Sequence, residues 1–176
     1  MATPDFVLEL RKSIGHAPLW LIGVTAVVVR GDEALLVRRA DNGNWSNVAG
    51  VVDPGEEPAD AAAREVLEES GLVAEVEALV GVFASEPLQY ANGDHAQYLD
   101  VLFLCRWVSG EPHPADGENT AAAWWPLDAL PPLPGTHDER LRLALAHAGP
   151  ALFRRRNSPA ESPADSPADT PLDTPE

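Results

Sequence analysis

At 176 residues, with 45% hydrophobic and 23% charged side chains, the chain has the size and balance of one soluble globular domain. A formal charge of −16 repels phosphate backbones and argues against a nucleic-acid partner, and the single cysteine, Cys105, excludes an intrachain disulfide. The N-terminal stretch Met1 to Arg11 carries Asp5 and Glu9 in place of an apolar core, so no signal peptide is expected. The most apolar run, Leu19 to Val29, falls short of the about 20 residues a bilayer demands. The expectation is a protein with no membrane partner in a reducing, cytoplasmic setting.

In chain order, Asp5 to Ser13 reads as a short helix ended by Gly15, within an N-terminal helical segment, 1–18, packed on the main domain, 19–153. Val24–Arg30 and Ala34–Arg38 read as strands about Gly31-Asp32-Glu33. Pro58 to Ser70 reads as a helix, with Pro58 in the first turn and Gly71 as a left-handed cap. Leu72–Phe83 and Gln97–Val108 read as a second strand pair flanking Asn92-Gly93, a dipeptide that favours a type I′ turn. Thr136 and Glu139 form a capping-box pattern for a last helix, with Leu141, Leu145 and Ala148 on one stripe. Interleaved strands and helices define the α/β class, a sheet covered by helices on both faces.

The last residues stand apart. From Ser158 they read SPAE, SPAD, SPAD, TPLD, TPE, with five acids, no bases and Leu172 as the one large apolar side chain. Such a segment buries too little surface to offset its ordering entropy, so 154–176 is expected to be a disordered, acidic, proline-rich tail.

The chemistry concentrates between Gly50 and Leu72. At about 100° per residue, Glu65, Glu68 and Glu69 share one side of the helix, opposite Ala59, Ala63, Val66 and Leu67. The expected arrangement buries the apolar side and exposes the three carboxylates together. Clustered like charges are unfavourable by themselves, and a divalent cation reverses the sign. Hard oxygen donors suit Mg²⁺, with Mn²⁺ as the alternative. A solvated acidic face is the bland reading, and only the spacing argues against it.

That spacing is Gly50, five residues, Glu56, seven residues, then Arg64-Glu65-Val66-Leu67-Glu68-Glu69-Ser70-Gly71-Leu72. It resembles the Nudix box at every fixed position, G-x5-E-x7-R-E-U-x-E-E-x-G-U, where U is aliphatic. Leu35-Leu36-Val37-Arg38-Arg39 with Trp45 is similar to the strand and aromatic preceding the box in that family. Trp124-Trp125-Pro126-Leu127-Asp128-Ala129-Leu130-Pro131 is similar to its closing W-F-P-x-x-x-L-P segment. The likeness covers about 20–148, and Phe6 through Gly15 resembles a prefix of some bacterial members.

The resemblance implies an α/β/α sandwich around a central mixed sheet and a Mg²⁺-dependent hydrolase cleaving a diphosphate linkage. It implies Glu65, Glu68 and Glu69 as metal ligands with the Gly50 carbonyl, and Glu56 and Arg64 as ion-paired supports of the site. The catalytic carboxylates would be Glu65, Glu68 and a downstream base. Members often carry Glu-x-x-Glu before the closing tryptophan. Here Glu118 fits the first position and Ala121 fills the second, which makes Glu118 the candidate base and Glu86 a poorer one. The box also opens on Val48-Ala49-Gly50 where many members have Pro-Gly-Gly, so Ala49 is expected to alter the loop's dihedrals.

Arg38, Arg39, Trp45 and Tyr90 are candidate substrate contacts. Adjacent strand residues face opposite ways, so at most one of the two arginines points into the site. Trp45 reads equally as packing, Tyr90 and Tyr98 more as structural residues about the turn, Cys105 as inert core, and the five histidines lack zinc-ligand spacing. Pro87 and Tyr90 lie near positions that the family associates with ADP-ribose and with dinucleoside polyphosphates. Both are nucleoside diphosphates carrying a second group, so that small-molecule class is the expected substrate. A triphosphate-sanitising hydrolase shares the whole box and is the alternative. A non-catalytic nucleotide-binding module usually loses box carboxylates, and here none is lost. Homodimerisation is left open.

Overall fold

The computed structural model describes residues 3–115 and 117–155, so the proline-rich repeats lie outside the described residues. Helix α1 (Asp5–Ile14) precedes β1 (Leu19–Arg30), β2 (Glu33–Arg39), β3 (Trp45–Ser46) and β4 (Val48–Val51). Helix α2 (Pro58–Ser70) leads to β5 (Val73–Ala84), β6 (Leu88–Gln89), β7 (His95–Ser109) and β8 (Asn119–Pro126). Helix α3 (His137–Leu145) and β9 (Leu152–Phe153) follow. The strands form one mixed sheet in the order β3-β2-β1-β7-β5-β9, with β4 on β1, β6 on β7 and β8 on β2.

The centre of the sheet is the parallel pairing of β1 and β7, running from Leu19 opposite Ala96 to Val29 opposite Arg106. Alternation then divides the side chains into two cores. Val24, Ala26 and Val28 with Val101, Phe103 and Cys105 lie under α2, against Ala61, Ala62 and Val66. Val27 and Leu102 lie on the other face, under Leu141 and Ala144 of α3. Helices therefore cover both faces, as the interleaved pattern predicts. Val7 of α1 packs on Leu21 and Ala96, and the Arg11 guanidinium donates to the His95 carbonyl at 2.8 Å, tying α1 to the start of β7. At the far end of β1 the Arg30 guanidinium stacks over Trp124 at 4.3 Å, with Trp107 at 5.5 Å.

Local expectations are corrected in four places. Asn92-Gly93 is not a type I′ turn, which requires positive φ at both central residues. Only Gly93 is left-handed (φ 89°), and Gly93 N–H bonds the Tyr90 carbonyl while Tyr90 N–H bonds that of Asp94. The loop thus holds three residues, Ala91 to Gly93, between Tyr90 and Asp94. The capping box does not form either. Thr136 makes no side-chain cap, and Glu139 pairs instead with Arg140 and Arg154. The buried residues of α3 are Arg140, Leu141 and Ala144, while Leu145 is exposed and Ala148 lies beyond the helix. Finally, Ala49 sits in ordinary extended backbone opposite Thr25, so its Cβ demands no unusual dihedral.

Candidate active site

Helix α2 starts on Glu57 and Pro58 and ends where Gly71 turns left-handed (φ 69°), its N–H bonding the Leu67 carbonyl. The buried residues are Ala61, Ala62, Glu65, Val66, Glu69 and Ser70, whereas Leu67 is 51% exposed. The helix is therefore rotated from the expected orientation, and of Glu65, Glu68 and Glu69 only Glu68 faces solvent. Small Ala61, Ala62 and Ser70 let it press closely on the sheet, and charged and amide partners draw two glutamates inward.

Arg64 is the hub of that arrangement. Its Nε and Nη2 grip Glu56 at 2.8 and 3.0 Å, and Nη2 also donates to the Val51 carbonyl at 3.1 Å. Nη1 lies 2.9 Å from both Glu65 Oε1 and Glu68 Oε2. Glu56 in turn accepts from the Asp53 N–H at 3.1 Å, which closes the loop between β4 and α2. The Arg64 hydrogen bonds hold the Glu56 carboxyl below its ordinary range. Glu65 behaves oppositely: burial pushes its carboxyl up, and Arg64 offsets only part of that.

Gly50 fits this cluster because it has no side chain. A Cβ there would stand 1.9 Å from Glu65 Cδ and 2.0 Å from Oε1. Glu69, 6% exposed, meets the Asn119 amide, with Nδ2 3.3 Å from Oε2. Among the described residues no three His, Cys, Asp or Glu side chains converge on one point in this conformation, Arg64 Nη1 standing between Glu65 and Glu68. The donor set is nevertheless all hard oxygen. Glu65, buried beside Arg64 yet with its carboxyl pushed up, is the kind of group a divalent cation relieves, so the residues fit such an ion.

The remaining candidates separate. Arg39 pairs with Asp41 through Nε (3.0 Å) and Nη2 (2.6 Å), which raises its pKa, and the Glu69 charge acts in the same direction. Arg38 turns outward and donates to the Gly43 carbonyl. Trp45 packs edge-on against Trp125, with ring centres 5.2 Å apart. Tyr90 and Tyr98 share a 2.7 Å hydroxyl contact, and the Tyr98 ring lies against Gly23. Glu118 is half-buried just before β8, its carbonyl accepting from the Ala40 N–H. Glu86 is exposed on the loop after β5.

Sequence reasoning missed Asn119, and it missed the network behind the sheet. There Asp100 accepts from Thr25 Oγ1 at 2.8 Å and Arg140 Nε at 2.6 Å, and Asn47 Nδ2 donates to the His137 carbonyl at 2.8 Å. None of these belongs to a spacing motif. Burial holds the His137 imidazole below its ordinary pKa, and the Arg39 charge adds to the effect. The unfolded chain takes up a proton near pH 6.5 and the folded chain does not, so this group's share of stability is complete above pH 6.5 and declines as pH falls. Thermal melts from pH 8 to 5 should show a fall in melting temperature that His137→Asn makes shallower. Identical slopes in the two proteins would contradict this account.

A mixed sheet between helices, with this glutamate-rich loop and helix on one face, defines a Nudix-type hydrolase fold. Residues 20–147 match the NUDIX domain model, and the chain belongs to that family, as one of its hydrolases. It is 38% identical over 135 residues to a MutT-like protein of Streptomyces ambofaciens, covering 76% of this chain and 82% of that one. It is 41% identical over 111 residues to a NAD-capped RNA hydrolase of Pseudomonas aeruginosa PAO1, covering 61% of this chain but only 37% of the relative. An ADP-ribose pyrophosphatase of Streptococcus suis superposes with a TM-score of 0.57 at 30% identity, covering 71% of this chain and 89% of that structure. No helix among the described residues is long and apolar enough to cross a membrane.

Proposed function

We propose that this chain is a Mg²⁺-dependent pyrophosphohydrolase that cleaves the diphosphate linkage of a nucleoside diphosphate carrying a second group. The observation that carries the reading is Glu65 packed against Gly50 and joined with Glu68 through Arg64 to Glu56, with Glu69 one helical turn beyond Glu65 and buried against Asn119. Glu65, Glu68, Glu69 and the Gly50 carbonyl would hold the cation, Mn²⁺ serving in place of Mg²⁺. When bound, the ion polarises the attacking water and neutralises phosphate oxygens. Arg64 keeps its hold on Glu56 and the Val51 carbonyl, so the loop stays in place. Arg39 offers a cation to a substrate phosphate, and Glu118, adjacent to the residue that touches Glu69, is the proposed base. Water adds to one phosphorus, the bridging P–O bond breaks, and two monophosphates leave.

The substrate class draws support from two relatives. ADP-ribose and an NAD cap are both nucleoside diphosphates joined to a second group. The formal charge of −16 favours a small substrate over a polymer. ADP-ribose is expected to show a higher kcat/KM than any simple nucleoside triphosphate, yielding AMP and ribose 5-phosphate. Product analysis on matched substrates decides it. Dominant release of pyrophosphate from a triphosphate would install the nucleotide-sanitising reading instead.

A further inference from the structure

Along the β2–β8 pair, Arg38 stands opposite Ala121 but Arg39 stands opposite Asn119, so Thr120 is an extra residue in β8. In an unbroken ladder Thr120 would pair with Arg39, and Asn119 would point to the other face of the sheet. The bulge exchanges the two. Thr120 is left exposed, its hydroxyl donating to the Arg38 carbonyl at 3.2 Å. Asn119 turns inward, 7% exposed, with Nδ2 on Glu69 Oε2 at 3.3 Å. Re-aiming a side chain beside a working site is a recurrent use of such bulges.

We infer that Asn119 is a positioning residue for Glu69: its amide, aimed by the β8 bulge, fixes the carboxylate in the orientation that receives a divalent cation. The inference rests on the proposed role of Glu69 as a ligand. An ionised carboxylate only accepts, and an asparagine amide supplies a donor without adding charge that would compete with the cation. The oxygen that Asn119 holds is Oε2. Loss of a partner that orients a ligand costs about 10–100-fold in metal affinity. A side chain that merely joined β8 to α2 would affect stability and leave metal affinity unchanged.

The test is Mn²⁺ binding to the full chain without substrate, by electron paramagnetic resonance titration of free Mn²⁺, beside thermal melting. Asn119→Ala should weaken binding about tenfold. Thr120→Ala, at the same bulge but facing solvent, should bind as the wild type does. Asn119→Thr keeps a strand-favouring side chain too short to reach Glu69, and it should give the same loss even where the alanine variant folds poorly. In a Glu69→Gln background the alanine change should add nothing, because the two residues act as one unit. Wild-type affinity in both Asn119 variants, with Glu69→Gln weakened, overturns the role of Asn119 and leaves the metal face standing. A tenfold loss that persists in Glu69→Gln also overturns it. Wild-type affinity in Glu69→Gln itself removes the metal face and this inference together.

Discussion

Glu69→Gln is expected to lower Mg²⁺-dependent turnover by about a thousandfold while the protein stays folded. A ligated cation supplies several kcal/mol of transition-state stabilisation, and each ~1.4 kcal/mol is about tenfold in rate. The sequence places Glu69 on an exposed face, but the structure buries it against Asn119, which changes the reason the variant should fold. Glutamine keeps the volume, its amide oxygen still accepts from Asn119, and the cost of burying a charge disappears. The melting temperature should therefore hold or rise. Near-wild-type turnover at saturating Mg²⁺ would remove Glu69 from the metal face. A variant that unfolds would make it a structural residue.

Gly50→Ala should be nearly as damaging, by a different route. The added Cβ would lie 1.9 Å from Glu65 Cδ and 2.3 Å from Cγ, well inside contact distance. Either β4 shifts on β1, where Gly50 pairs with Val24, or the Glu65 carboxylate leaves Arg64. Both displace a proposed ligand, so turnover should fall at least a hundredfold, the scale on which an active site responds to a misplacement of about 1 Å. Overpacking costs about 1–3 kcal/mol, and for a chain of this size each kcal/mol lowers the melting temperature by about 3 °C. Measured together, rate and melting temperature separate this variant from Glu69→Gln. A Gly50→Ala protein with normal rate would show that Glu65 works from another position.

The long strands and α2 with its Gly71 cap were legible because each follows from a local pattern, and the Arg64–Glu56 pairing because the resemblance to the box implies it. Strands β3, β4 and β9 were not, because two to four residues are too few for alternation to register. Strand β8 escaped notice because its middle is Ala121, Ala122 and Ala123, which pattern and propensity do not mark as strand. The face of α2 was misread for a physical reason. Amphipathicity assumes that charge seeks water, and here Arg64 and Asn119 offer two glutamates better company in the interior. A partner fifty residues along, reached only through a bulge, leaves no trace in periodicity.

The parallel pairing of β1 with β7 also sets the order in which the molecule can assemble. Helix α2 and its loop form from contacts close in sequence, but Leu19 meets Ala96 only after most of the domain has been threaded between them. Closing so long a segment is entropically costly before any contact rewards it, and such topologies fold slowly. Before that closure α2 lacks its Asn119 contact, and the mutual repulsion of its carboxylates is offset within the helix by Arg64.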